Sequence, residues 1–306
     1  MKLTKWKIFF AMLAVSAFLL VSCDETTTEP EPDVFKPVAP SGLMATSLDN
    51  QTIRIKWTHS ADVDNPKFKE YEIVVTGGGP LAPVSKDKQS NTYELTGLDE
   101  GTVYTFEVSS VSTEGEKSAA VSIKWSPASR FTESAPNFAN PIRVYETASS
   151  FGSGLLLYDA DNEGPVIKKV ANGAEWDLGL YTTGKLVFGS AKLLTYNFGT
   201  KPVNIVEISD NVLTGYNSLD EVYDSQALSA GSFKEQLIDL TKYNQNIVLV
   251  VRKKASGEDK WHYAKVFIKY LNDAFLMGQP DNRYVELVVS YQMVADVPYA
   301  RIGKIK

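Results

Sequence analysis

Cysteine and histidine are the scarce residues of this sequence: one cysteine, Cys23, and two histidines, His59 and His262, in 306 residues. A lone cysteine closes no disulfide and builds no thiolate metal cluster, so stability must come from packing. Two histidines in opposite halves of the chain leave no local acid–base constellation. Gly-x-Ser-x-Gly, His-Glu-x-x-His and phosphate-loop patterns are all missing. Basic excess is missing too, the formal net charge being −6. An acidic body has no electrostatic reason to seek nucleic acid, which is excluded as a partner. The longest apolar run, Ile8 to Val21, has about 14 residues, short of the roughly 20 that a spanning helix needs.

What is present begins with that run. Lys2, Lys5 and Lys7 precede it and the small Ser22 follows it, the marks of a secretion signal over residues 1–22. Leu20-Val21-Ser22-Cys23 resembles the lipobox of bacterial lipoproteins, which implies cleavage before Cys23 and lipid on its sulfur and new amine. Loss of residues 1–22 removes three lysines and no acid, taking the formal charge from −6 to −9. Residues 23–37 then carry a threonine run, prolines and acids that cannot bury apolar surface, and form an extended tether. The acidic start after Cys23 also resembles the sorting signal of surface-displayed lipoproteins. The expected location is therefore the cell outer membrane, lipid-anchored and facing outward.

Between residues 38 and 127 the chain reads as short strands. Ile53, Ile55 and Trp57 alternate with Arg54 and Lys56, and Tyr71, Ile73 and Val75 repeat the period before Gly77-Gly78-Gly79-Pro80 breaks it. Tyr104, Phe106 and Val108 face one way and their neighbours the other. Strands at this spacing predict an antiparallel sandwich. Pro40, Leu43, Trp57, Tyr71 and the run Leu98-Asp99-Glu100-Gly101-Thr102-Val103-Tyr104 resemble the fibronectin type III family. The resemblance implies that the Tyr104 hydroxyl bonds back to the main chain. Such modules serve as spacers or adhesive surfaces.

Residues 128–140 carry Ser, Pro and Asn without an apolar period and read as a linker. From 141 to 306 the pattern is again mainly β. Strands are expected at Leu155–Tyr158, Trp176–Tyr181, Lys185–Phe188, Ile205–Ile208, Ile247–Val251, Tyr263–Tyr270 and Tyr284–Tyr291. Ile247–Val251, apolar on both faces, should be central. One short helix is expected around Ser232–Leu240. Trp176-Asp177-Leu178, Val251-Arg252 through Ser256-Gly257 to Tyr263-Ala264-Lys265, and Tyr284 to Gln292 resemble the HmuY-like haem-binding lipoproteins, which are all-β and surface-anchored. The fold class is thus mainly β: a fibronectin type III-like sandwich followed by a second antiparallel β-rich domain.

Three kinds of site compete in the second half. The resemblance implies haem held between two axial side chains, for which His262, Met277 and Met293 are the available ligands. His262 shares a strand face with apolar Ala264, Val266 and Ile268, which suits a packed residue more than a ligand, and methionine commonly fills core gaps. Asp159, Asp161 and Glu163 alternate before Gly164 as in a calcium loop, but position twelve is Val170, and Asp, Asn and Gly are turn formers in their own right. Trp176, Tyr181, Trp261 and Tyr263 could stack on sugar faces or sit in the core. Trp261 and Tyr263 share a face with Lys265 and Lys269, which is expected to meet solvent at one end. The reading is a non-catalytic, lipid-anchored binding protein of the haem-carrier kind, with an outer-membrane transporter as a candidate partner. The alternative is a surface glycan-binding or adhesive lipoprotein, and the third is an accessory hydrolase with paired carboxylates.

Overall fold

The computed structural model describes residues 34–169, 175–198, 204–224 and 232–297. The signal, Cys23 and most of the tether lie outside them. Seven strands come first: β1 (Ser41–Ser47), β2 (Ile53–Thr58), β3 (Phe68–Thr76), β4 (Val84–Asp87), β5 (Thr92–Leu95), β6 (Tyr104–Ser112) and β7 (Val121–Trp125). They make two antiparallel sheets, β1-β2-β5 and β4-β3-β6-β7. The period-two pattern is obeyed, with Ile53, Ile55, Trp57, Tyr71, Ile73, Phe106 and Val108 all buried between the sheets. The Tyr104 hydroxyl accepts the backbone N–H of Asp99 at 3.0 Å, closing a tyrosine corner.

The remaining strands are β8 (Ser129–Phe131), β9 (Ile142–Tyr145), β10 (Gly154–Asp159), β11 (Gly164–Lys168), β12 (Leu178–Tyr181), β13 (Val187–Ser190), β14 (Asn204–Ser209), β15 (Leu213–Thr214), β16 (Phe233–Lys234), β17 (Leu237–Asp239), β18 (Ile247–Ala255), β19 (His262–Ile268) and β20 (Tyr284–Tyr291). One sheet runs β16-β14-β18-β19-β20-β8, with β15 on β18 and β9 on β20; the other runs β11-β10-β12-β13-β17. Ile247–Val251 is central, lying between β14 and β19 and buried on both faces. One core fills the space between these two sheets, with Leu155, Leu178, Phe188, Leu249, Val251, Val266 and Leu287 in it.

Three expectations change. Residues 128–140 are not a spacer, because Ser129–Phe131 pairs with the end of β20 and Ala128 is wholly buried. The segment around Ser232–Leu240 is not a helix. It forms β16 and β17 and then a 3-10 turn, Leu240–Lys242. Leu237 pairs there with Gly189, whose missing side chain lets the strands meet; a Cβ would lie 2.2 Å from the Gln236 carbonyl oxygen. Sheet pairing overrides the local helical spacing. The helix lies instead at α1 (Ala191–Phe198), where Ala191 and Leu194 are buried one turn apart. Third, Lys265 is only 2% exposed, so the middle of the strand face it shares with Tyr263 is covered, and only the ends, at Trp261 and Lys269, reach solvent.

That face is covered by the first seven strands. A single apolar cluster joins Ile55, Trp57, Tyr71 and Trp125 to Leu219, Val222, Val248, Val250, Tyr263 and Phe267. Phe35–Lys306 is one compact unit, not two independent bodies.

Candidate functional site

The other face of β18, β19 and β20 carries the site. Where these strands end beside the β10–β11 hairpin, a cleft of about 310 Å³ opens, near the lower end of the roughly 300–1,000 Å³ common for ligand pockets. Three flat rings form its wall. Tyr158, at the end of β10, and Tyr291, at the end of β20, stack with centroids 5.2 Å apart and planes within 1°. The His262 ring stacks on Tyr291 at 5.8 Å and 10°. Such offset parallel pairs are favourable arrangements for aromatic rings.

Beneath the rings lies a buried polar knot. Asp177 is fully buried, and its carboxylate accepts the Leu157 N–H at 2.8 Å, the Asn204 side-chain amide at 2.7 Å and the Lys253 ammonium at 2.9 Å. A carboxylate so satisfied can bear the loss of water. It fixes Lys253, whose ammonium sits 5.5 Å from the centre of the Tyr291 ring. Burial, and then the nearby Asp177 charge, push the Tyr291 phenol far above its ordinary value of 10.0. Tyr158 is pushed up as well, again chiefly by burial. Both remain neutral hydroxyls at any physiological pH.

The expected site residues disperse. His262 lines the cleft, half-buried, with Nδ1 3.3 Å from the Gln292 carbonyl oxygen. Met293 packs on the second core, and Met277 bridges to Tyr284 at the opposite end of β20. At about 3.3 Å per residue, Met277 lies roughly 30 Å from the His262 end of the sheet. Met277 is therefore too far to share a ligand with His262, whereas Met293 follows Gln292, the residue whose carbonyl oxygen faces the His262 ring. Trp176 is wholly buried beside Val187, Ala191 and Leu194, and Tyr263 is buried in the first core, which removes both as ligand contacts. Tyr181 is half-buried with the Lys185 ammonium over its ring. Trp261 is half-buried against Arg252, whose guanidinium carbon lies 4.2 Å from its ring, on the far side of the sheet from Lys253.

Asp159, Asp161 and Glu163 close the β10–β11 hairpin. Asp159 Oδ1 accepts the Asp161 and Asn162 N–H groups, both at 3.1 Å, and Glu163 takes φ 53°. Among the described residues no group of three or more His, Cys, Asp or Glu is placed to hold a metal ion. Asp159 and Asp161 instead stand on the rim of the cleft with Glu175 and Glu258.

Sequence reasoning missed Tyr158, Tyr291, Lys253 and Asn204. Its one usable signal was Asp177, an acid set between Trp176 and Leu178 at the start of an apolar strand. Among the described residues no serine, threonine or cysteine lines the cleft.

The seven-strand sandwich with its tyrosine corner has a known counterpart. The family model "Fibronectin type III domain" matches residues 38–129. These residues form a fibronectin type III domain. Solved structures similar to it include the fn3 domain of human collagen alpha-1(XX) chain, 24% identical, covering 32% of this chain and 92% of that one, with a TM-score of 0.27. The FN5 domain of Drosophila Lar is 24% identical, covering 30% of this chain and 97% of its own, TM-score 0.23. Rat CD45 extracellular domains d3-d4 are 12% identical over 41% of this chain and 83% of theirs, TM-score 0.27. No curated protein matches the chain. In this chain the fibronectin type III domain supplies one wall of a shared core, while the cleft lies on the opposite side of the central sheet.

Proposed function

We propose that this is a non-catalytic, lipid-anchored binding protein of the outer membrane, held through Cys23, and that its cleft takes a carbohydrate ring. One observation carries the reading: the parallel faces of Tyr158, Tyr291 and His262 stand beside a polar rim and a fixed Lys253. Flat rings bury the apolar face of a sugar, while carboxylates, amide and hydroxyl meet its hydroxyl groups. Haem is the weaker reading, since Met277 lies at the far end of β20 and Met293 packs on the second core.

The test is affinity electrophoresis of the whole mature chain through gels holding soluble polysaccharides. Retardation by at least one glycan is expected, lost in Tyr158→Ala and kept in Trp261→Ala, with unchanged circular dichroism in both. Retardation insensitive to Tyr158, or a Soret band on adding haem that depends on His262, would overturn the reading.

A further inference from the structure

The charges around the cleft do not balance. Lys253 is paired with the buried Asp177, and the Lys254 ammonium lies 5.0 Å from the Trp261 ring. On the rim, Asp159 has Lys168 at 3.5 Å. Asp161, Glu175 and Glu258 line the cleft and make no ion pair among the described residues.

Exposed acids alone would say little, because water solvates them. A second feature points inward. Tyr291 is 3% exposed and lines the cleft, yet its hydroxyl has no hydrogen-bond partner among the described residues. The side chain is almost wholly enclosed, and the cleft is where a ligand oxygen or nitrogen could meet its hydroxyl. The negative charges of Asp177 and Glu258 also act on this phenol, after burial, to raise its titration point. Asp161, Glu175 and Glu258 thus set unpaired negative charge beside the Tyr158–Tyr291 stack, while Lys253 is held by Asp177.

We infer that the cleft selects a sugar bearing a protonated amine, a free hexosamine unit, over its neutral or N-acetylated counterpart. This rests on the carbohydrate reading above and narrows it. The ammonium would sit toward Asp161, Glu175 and Glu258, within reach of ring faces that attract cations, and a ligand hydroxyl would meet Tyr291. The neutral face of the sugar would lie on Tyr158. Electrostatic complementarity of this kind supplies discrimination and salt dependence more than raw affinity.

Calorimetric titration of the whole mature chain with three oligosaccharide series decides it: glucosamine, N-acetylglucosamine and glucose oligomers of equal length. Glucosamine oligomers should bind about tenfold or more tightly than the other two, and the margin should shrink as salt is raised. The triple variant Asp161→Asn, Glu175→Gln, Glu258→Gln changes only exposed side chains, and should remove the preference while leaving residual binding to all three. Tyr291→Phe should weaken all three. Equal affinity for the three series would overturn the amine preference and leave the carbohydrate reading standing. Absence of binding to every series, by the chain and by its Tyr158→Ala variant alike, would overturn both.

Discussion

Glu100, in the fibronectin type III domain, accepts the backbone N–H of Met293 at 3.2 Å, across 193 positions of sequence. The same carboxylate accepts the Ser129 N–H at 3.1 Å and the Ser129 hydroxyl at 2.7 Å. One side chain thus ties the sandwich to β8 and to the segment just after β20. Burial raises the Glu100 carboxyl above its ordinary value, and these hydrogen bonds only partly offset it. Glu100→Ala leaves two N–H groups without their acceptor and should destabilise the chain by about 1–3 kcal/mol. A shift of the urea midpoint at constant slope is the expected outcome.

The neighbouring Gly101 should be less forgiving than its exposure suggests. Its φ is +86°, and an added Cβ would lie 2.4 Å from Val294 Cγ2. Gly101→Ala combines backbone strain with a clash, for a loss of about 1–3 kcal/mol. Gly115, also at positive φ, has open space around it, so Gly115→Ala should cost less. Equilibrium unfolding of the pair checks the order.

The shared core predicts one unfolding transition for the whole body. Deleting residues 38–129 would bare Val248, Val250, Tyr263 and Phe267, all at most 4% exposed. At about 1.5–3 kcal/mol per fully buried side chain, that loss is roughly 6–12 kcal/mol, as large as the stability of a typical domain. Residues 130–306 alone should therefore bind a hydrophobic dye and melt without cooperativity. Calorimetry of the intact chain should show one peak, and two separate peaks would contradict the shared core.

The local half of this architecture was legible in the sequence. Alternation at Ile53, Ile55 and Trp57, and the two-sided apolar run at Ile247–Val251, report their burial directly, because strand period and core face are the same fact. The spacing from Leu98 to Tyr104 likewise announced the corner. What escaped depends on distant partners. Lys265 looks like a solvent residue until Val222 offers its carbonyl at 3.1 Å and Trp125 its ring at 5.3 Å. Tyr158 and Tyr291 become a stack only once two sheets bring the ends of β10 and β20 together. Leu237 left its helical spacing for a place beside Gly189.

Acid sensitivity should centre on Glu146. This carboxylate is almost wholly buried and accepts hydrogen bonds from the Arg283 guanidinium and from the Arg283 N–H, which hold it below its ordinary 4.5. A carboxylate depressed on folding adds stability that is complete above the unfolded value and fades as pH falls through the folded one. The Arg283 side chain is 43% exposed, so the pair is worth only about 1 kcal/mol. Arg283→Met should be that much less stable than the native chain near neutrality. The gap should close below pH 4.5, as read from denaturant midpoints across pH.

Lys265 and Asp224 should behave in the opposite way. Burial lowers the Lys265 ammonium from 10.5 to about 8 and raises Asp224 from 3.8 to about 6. Each group is thus less easily charged in the folded state. Stability should fall as pH rises through the Asp224 range and recover as pH climbs through the Lys265 range. Asp224→Ala alone removes the negative charge that favours the buried ammonium while leaving its bond to the Val222 carbonyl, and should be less stable than the native chain near neutrality. The double variant Lys265→Met, Asp224→Asn should be at least as stable as the native pair near neutrality, with a flatter pH profile.

The cleft itself is tested most directly by a crystal structure of the mature chain grown with a glucosamine oligosaccharide. The account predicts a sugar ring lying on the Tyr158 face, a ligand hydroxyl within hydrogen-bond distance of Tyr291, and its amine toward Glu258. A sugar ordered elsewhere on the molecule, with the Tyr158–Tyr291–His262 wall untouched, would contradict it.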